Sequence, residues 1–164
     1  YDIPKTRILH HLVTAPPVRT SALRTLGALP NVFALEAMID DLAIRAGEDP
    51  LDYRLSMLSD PRARAVLETA TKRANWSQRG TGGEGEGLGL AFARYKNTAA
   101  YAAVAVALHV DEQVHLDHIW VVADAGLVIN PDGVRNQLEG GAVQGVACSA
   151  AVEELRVGNL EPPA

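Results

Sequence analysis

Residues 19–31 contain the first arrangement of side chains that could bind a ligand. Arg24 and Gly27 stand in a loop directly ahead of a strong helix start. Such a loop can present a cation and free backbone N–H groups to an anionic ligand. The alternative is a surface loop whose arginine pairs with a carboxylate of the helix, because connecting segments are polar and exposed by default.

A second arrangement occupies residues 124–145, where a strand ends and an Asn-Pro pair begins a helix. Within that helix Gln137 is followed by Gly140, Gly141 and Gly145. A glycine inside a helix costs about 1 kcal/mol relative to alanine. The three glycines therefore predict a very close approach, made either by another backbone in ordinary helix packing or by a ligand.

The histidines and the single cysteine do not predict a site. His115 and His118 are three positions apart in an expected strand and should point to opposite faces. No histidine pair has metal-ligand spacing, so no metal site is predicted. Cys148 has no partner for a disulfide or a cysteine metal cage, and its place on the apolar side of a helix predicts a buried thiol.

The glycine run at residues 80–89 is predicted to be a flexible linker. It holds six glycines in ten residues. A phosphate-binding loop would end in Lys-Ser or Lys-Thr and lead into a helix, whereas this run leads into an alternating, strand-like pattern.

Length and composition predict one folded domain, or a domain with a fragment. The chain has 164 residues, of which 48% are hydrophobic and 21% charged. A net charge of −5 without a basic cluster disfavours nucleic acid as the main partner. Charges interrupt every apolar stretch well short of a membrane-spanning length. The start at Tyr1, without an initiator Met or a signal core, predicts a piece of a longer protein.

Capping residues and periodicity predict an α+β fold, with a small, mostly antiparallel sheet and three or four helices packed on it. Asn31 should cap a first helix that ends at Gly47 and carries Phe33, Met38 and Leu42 on its apolar side. Asp-Pro pairs at 49–50 and 60–61 should begin two more helices, the second ending near residue 76.

Three strands are expected at 88–96, 100–110 and 113–123, before a final helix that begins at Asn130-Pro131. Residues 1–157 are therefore predicted to form one partial domain, with a helical part at 31–76 and the sheet plus final helix at 88–157. An irregular tail is expected at 158–164.

Both singled-out segments resemble the large subunit of molybdenum hydroxylases, the xanthine dehydrogenase and aldehyde oxidase family. The first segment is similar to the family's Arg-x-x-Gly loop and to the acidic helix pattern after it. The second is similar to the family's Asp-x-Gly, Asn-Pro and Gln-rich segment. The resemblance runs from about residue 15 to 157 and is strongest for the isoquinoline 1-oxidoreductase and nicotinate dehydrogenase subgroup. Matching positions are Arg24, Gly27, Glu36, Asp40, Asp49, Pro50, Arg54, Asp124, Gly126, Asn130, Pro131, Gln137, Glu139, Gly140 and Gly145.

The resemblance implies a fragment of the catalytic subunit of an oxidoreductase, one that hydroxylates an aldehyde or an N-heteroaromatic carbon with oxygen from water. It implies molybdopterin, as a cytosine dinucleotide, in the full-length parent. The implied partners are the remainder of the large subunit, an iron–sulfur small subunit and a small-molecule substrate. The alternative is a non-catalytic binding or assembly domain on the same scaffold. The resemblance does not decide whether the protein is located in the bacterial cytoplasm or in the periplasm.

By the same resemblance, Arg24 would lie at the metal and substrate pocket, and Gly27 would permit a close approach. Gln137, Gly140 and Gly141 would lie against the pterin. Leu26 stands where xanthine dehydrogenases carry a substrate-stacking phenylalanine, so the substrate stays open. The family's catalytic glutamate lies in a Gly-x-Gly-Glu motif that Glu161 does not match. The chain alone is therefore expected to be inactive, with an exposed apolar face for the missing segments or for a second copy.

Overall fold

A computed structural model describes residues 1–17, 24–80, 82–96 and 98–158, with side chains as far as residue 149. Predictions that concern residues 18–23 or 159–164, Glu161 among them, lie outside the described residues. The elements are α1 (Ala28–Ala46), α2 (Pro50–Ser56), α3 (Pro61–Arg73), a short 3₁₀ helix (Trp76–Gln78), β1 (Glu86–Tyr95), β2 (Ala100–Val110), β3 (Val114–Asp124) and α4 (Pro131–Gly158). The strands form one antiparallel sheet in the order β1-β2-β3, which confirms the predicted α+β class.

The predicted helix boundaries at Asp and Gly residues are confirmed. Asp49 Oδ1 accepts a hydrogen bond from Leu51 N at 2.7 Å and caps α2. Asp60 Oδ1 does the same for Arg62 N at 2.9 Å at the start of α3. Gly47 ends α1 in the left-handed region, at φ 69°. These boundaries were predictable because a cap needs only neighbouring residues.

The prediction for the first helix was wrong in two respects. The helix begins at Ala28, three residues before Asn31, without a side-chain cap. Phe33 and Met38, predicted to face the core, are 74% and 61% exposed. The helix instead buries Glu36 together with Ile39 and Ala43. This polar side of the helix faces inward because Glu36 pairs with the buried guanidinium of Arg54.

The core lies between α3 and one face of the sheet. On the sheet, Leu90 and Phe92 of β1 stand opposite Ala105 and Ala103 of β2. Leu67 of α3 is completely buried against them. Small residues on β2 let the helix approach the sheet closely, so this face is filled mainly by apolar side chains.

The linker predicted at residues 80–89 is shorter in the structure, because β1 already begins at Glu86. Gly87 is paired with Leu108 inside the sheet. Gly85 has φ 76°, and a Cβ there would lie 2.4 Å from the carbonyl oxygen of Val110. These glycines lie where β1 packs tightly against β2. Because they carry no side chains, the sequence shows no alternating pattern over this part of the strand.

A β-bulge in the β2–β3 hairpin overturns the prediction that His115 and His118 face apart. His118 is opposite Ala107, whereas Leu116 is opposite Leu108, so Asp117 is the additional residue. The extra residue shifts the alternation of side chains by one position, so both histidines lie on one face of the sheet.

The prediction of a buried thiol was also wrong, since Cys148 is exposed on α4. No residue of this helix from Pro131 to Ser149 is buried. None of the helices in the described ranges combines the length and apolarity of a membrane span.

Candidate functional site

Arg24 and α4 meet at the surface, although they are 113 residues apart in the chain. Arg24 Nη2 donates to Gln137 Oε1 at 2.8 Å and to the Gln137 carbonyl oxygen at 3.3 Å. Arg24 Nη1 reaches Gln144 Oε1 at 3.4 Å. The structure thus brings together the two segments that sequence analysis singled out, with all three side chains exposed.

The turn that carries Arg24 is strained. Thr25 has φ 80° and Leu26 has φ 53°, although neither is glycine. Each such residue costs about 1–3 kcal/mol, and for a β-branched threonine this conformation is a clear outlier. Ala28 N donates to Thr25 O at 3.0 Å and closes the turn onto α1. Gly27 itself has an ordinary φ of −79°, so a backbone requirement does not explain glycine there.

Gly140 and Gly141 lie on the side of α4 that faces Arg24. Gln137 and Gln144 are two turns apart, with Gly140 and Gly141 between them on the same face. A Cβ added at Gly140 would lie 3.9 Å from Arg24 Nη1, an ordinary contact. A Cβ at Gly141 or Gly145 would meet no described atom within 4 Å. Close packing within the described chain therefore does not explain these two glycines.

The acidic motif after the loop forms a buried scaffold for the same surface. Arg54 is completely buried, and its Nε donates to Glu36 Oε2 at 3.0 Å. Its Nη1 donates to Asp40 Oδ1 at 2.6 Å, and its Nη2 donates to the Leu90 carbonyl at 3.1 Å. Although burial opposes the charge, Asp40 and Glu36 raise the pKa of Arg54. The arginine thereby joins α1, α2 and β1.

Glu36 is the centre of this network. Its Oε2 also accepts from Phe92 N at 2.9 Å, and its Oε1 accepts from the Tyr1 hydroxyl at 2.7 Å. Burial and the neighbouring Glu36 charge raise the pKa of Tyr1 well above its ordinary value, so the phenol remains a donor. The network orients α1, and with it the turn that holds Arg24.

Asp124, which opens the second motif, anchors the end of β3. Arg62 donates to it from Nε and Nη2, both at 2.7 Å, and Gly126 N donates at 2.8 Å. The hydrogen bond from Arg62 is the main cause that lowers the pKa of Asp124 to about 2. The segment leading into α4 is thereby tied to α3. Asn130 Oδ1 then accepts from Gly133 N at 3.0 Å and caps α4 as predicted.

Neither Arg62 nor Gln144 was assigned a role in the site from the sequence, although Gln144 lies within the second segment. Arg62 follows a helix start, where an arginine is ordinary, and its partner is 62 residues away. Gln144 lies seven residues after Gln137, which is two helical turns, and this spacing was the available signal.

The contact between Arg24 and Gln137 lies on the surface and does not border the cleft found elsewhere in the fold. That cleft, of about 560 Å³, lies between the end of α3 and the sheet, and Arg79, Glu86 and Trp120 are among its lining residues. Arg79 is paired there with Asp49 and stacks on Trp76. No described residue of either segment of the candidate site lines the cleft.

The fold and the surface define an α+β domain in which a strained loop and a glycine-bearing helix share one exposed face. Residues 34–161 match the family model of the molybdopterin cofactor-binding domain. The chain belongs to this family, as the sequence motifs predicted.

Three curated proteins are similar to the chain. It is 38% identical over 160 residues to a nicotinate dehydrogenase subunit of Pseudomonas putida, covering 88% of this chain and 13% of that protein. It is 34% identical over 162 residues to the beta subunit of isoquinoline 1-oxidoreductase of Brevundimonas diminuta, covering 96% and 20%. It is 23% identical to a membrane-bound aldehyde dehydrogenase of Gluconacetobacter polyoxogenes. The chain spans a fifth or less of the first two relatives.

Proposed function

We propose that the chain forms part of the molybdopterin-binding catalytic subunit of an oxidoreductase that hydroxylates an aldehyde or an N-heteroaromatic carbon with water. The names of the two relatives above 30% identity refer to nicotinate and isoquinoline, both N-heteroaromatic compounds. The observation that carries the proposal is the contact of Arg24 with the Gln137 side of α4, inside a domain of the molybdopterin-binding family.

The chemistry of these side chains fits a planar, polar and anionic cofactor. Arg24 places a fixed cation with several N–H donors at the surface. Because Gln137 Oε1 accepts from Arg24, the two amide N–H donors of Gln137 remain available to a ligand. A Cβ at Gly141 would meet no described atom within 4 Å, which supports a close approach there from outside the described chain.

In this proposal Arg24, Gly27, Gln137, Gly140 and Gly141 position the cofactor, whose cytosine dinucleotide form is part of the proposal. When bound, molybdopterin supplies the molybdenum centre for the hydroxylation. The buried Glu36–Arg54 pair acts indirectly, because it fixes α1 and the turn behind Arg24. The general base, the remaining cofactor contacts and the iron–sulfur small subunit are assigned to other parts of the enzyme.

Molybdenum content of the complete gene product, expressed with its natural partner, tests the proposal. Gly141→Ala is the sharpest variant, because the added methyl meets no described atom. In the isolated chain it should be neutral or stabilising by up to about 1 kcal/mol. In the complete protein it should lower bound molybdenum severalfold. Unchanged molybdenum content would show that this face does not touch the cofactor.

Gln137→Glu provides a second test with a built-in control. The carboxylate keeps an acceptor for Arg24 but removes the amide donors, so the contact between loop and helix should persist. Molybdenum content should fall, while the exposed variant Arg45→Ala should leave it unchanged. A complete protein without molybdenum, in a host that loads the cofactor, would instead favour the non-catalytic binding or assembly domain.

A further inference from the structure

The tip of the β2–β3 hairpin gathers three side chains of metal-ligating type, none of which takes part in the contact between Arg24 and α4. One ligand atom from each of His109, Asp111 and His115 lies within 4.8 Å of the other two. His115 Nε2 is 3.1 Å from Asp111 Oδ1. The two imidazole rings stack with centroids 4.7 Å apart and planes 12° apart.

The backbone holds these residues together. His109 and His115 are directly opposite each other in the antiparallel ladder. Asp111 lies in the connecting turn, where its carboxylate accepts from Gln113 N at 2.9 Å. Asp111 N in turn donates to Gln113 O at 3.1 Å. The three side chains are between 44% and 63% exposed, so an ion from solvent can reach them.

Asp117, the extra residue of the bulge, orients one of the imidazoles. His109 Nδ1 lies 2.8 Å from Asp117 Oδ1. A carboxylate on one ring nitrogen fixes the proton there and leaves the lone pair on Nε2. Histidine ligands of metals commonly have such a carboxylate partner.

We propose that His109, Asp111 and His115 bind a divalent transition-metal ion, Zn²⁺ in the first instance, at the hairpin tip. Imidazole favours zinc, copper and nickel over magnesium and calcium. Ligand bonds of about 2.0 Å in a tetrahedron separate neighbouring ligand atoms by about 3.3 Å, so the three atoms, which lie within 4.8 Å of one another, would close up by at most about 1.5 Å. The metal would replace the 3.1 Å hydrogen bond between His115 Nε2 and Asp111 Oδ1. The fourth position is left to water.

Bound metal would join the ends of β2 and β3 and stabilise the hairpin. Binding to the folded state alone raises the melting temperature in proportion to the logarithm of the metal concentration above Kd. The proposal concerns the sheet only and does not depend on molybdopterin binding.

The test is a Zn²⁺ titration of the full chain, followed by calorimetry, with Co²⁺ absorption as a probe of tetrahedral geometry. Competing donors are first removed with His10→Ala, His11→Ala and Cys148→Ser, all exposed positions. We expect one ion per chain and a rise in Tm. His115→Ala in that background should weaken binding at least tenfold and abolish the rise in Tm.

Two further variants separate ligands from neighbours. His118→Ala is the matched control, since His118 shares the face but packs at a tilt against Trp120, outside the cluster. It should leave Zn²⁺ affinity unchanged. Asp117→Asn should weaken binding about tenfold without changing the stoichiometry, as for partners that orient a ligand.

The proposal is overturned if the background chain binds no Zn²⁺, or if His115→Ala and His109→Ala bind it as tightly as the background does. Mg²⁺ binding as strong as that of Zn²⁺ would also overturn it, because the acidic groups alone would then explain the site. Circular dichroism of each variant confirms that these surface substitutions leave the fold intact.

Discussion

The interior around Arg54 and the surface around Arg24 use the same residue type in opposite ways. Arg54 is inaccessible to solvent and donates hydrogen bonds to two carboxylates and three carbonyl oxygens of its own domain. Arg24 is exposed, is held by two glutamines, and rests on a strained turn. The comparison indicates that one arginine stabilises the domain, whereas the other is placed where a ligand can reach it.

The apolar residues also differ between the buried interior and the exposed surface. Beneath the sheet, Leu67 and Ala70 of α3 are completely buried. On α1, the large side chains of Phe33 and Met38 face solvent, and α4 buries none of its described side chains. An apolar surface of this kind marks an interaction site. Because the chain covers 13–20% of its two curated relatives above 30% identity, we propose that the remainder of the large subunit covers it.

The largest expected effect in this comparison comes from Arg54→Ala. Removal of one partner of a buried ion pair leaves Glu36 uncompensated, which should cost about 3–5 kcal/mol of unfolding free energy. Chemical denaturation of the isolated chain measures it. The control is Arg45→Ala, whose exposed pair with Asp41 should contribute at most about 0.5 kcal/mol.

Arg54→Lys keeps the charge but loses the forked geometry, so it should lie between the wild type and Arg54→Ala. If Arg54→Ala and Arg45→Ala had equal effects, the contrast between the buried Arg54 and exposed arginines would lose its basis.

A smaller effect is expected from pH at the Arg62–Asp124 pair. The pKa of Asp124 is lowered from 3.8 to about 2 in the folded chain, so the pair stabilises the fold above the unfolded value. That contribution should decrease as pH falls below about 4 and should be lost as pH falls through about 2. The difference in Tm between wild type and Asp124→Asn should therefore be largest near neutral pH and shrink steadily towards the acid end.

Glu112→Gln, at the exposed hairpin turn, is the matched control. Its Tm difference from the wild type should not change with pH in this way. A Tm difference between wild type and Asp124→Asn that persists at the acid end would contradict the role of the ionised carboxylate ahead of α4.

The smallest effect on stability is expected from Phe33→Ser. Because the side chain is 74% exposed, the unfolding free energy should change by less than about 0.5 kcal/mol. Leu67→Ala, its buried counterpart, should cost about 2–5 kcal/mol. Phe33→Ser should nevertheless weaken self-association or hydrophobic-dye binding of the isolated chain. A loss of stability as large as that of Leu67→Ala would mean that the Phe33 side of α1 is packed within the domain.

Local signals in the sequence predicted a good part of the fold. Asp49 and Asp60 before prolines, and Gly47 after α1, predicted three helix ends because caps depend on adjacent backbone groups. The alternating apolar residues predicted β2 and β3 to within one residue. The apolar stripe of α1 misled, because periodicity alone does not distinguish a core face from a face that another part of a protein covers.

The sequence by itself determined the helices, the three strands, the family and the two candidate ligand-binding segments, since each depends on short-range pattern or motif order. Only the tertiary structure decided that Glu36 is buried, that Arg24 touches Gln137, and that His118 shares a face with His115. These outcomes depend on how a charge is neutralised and on a one-residue bulge. Both are settled by pairings between distant parts of the chain, which no local pattern records.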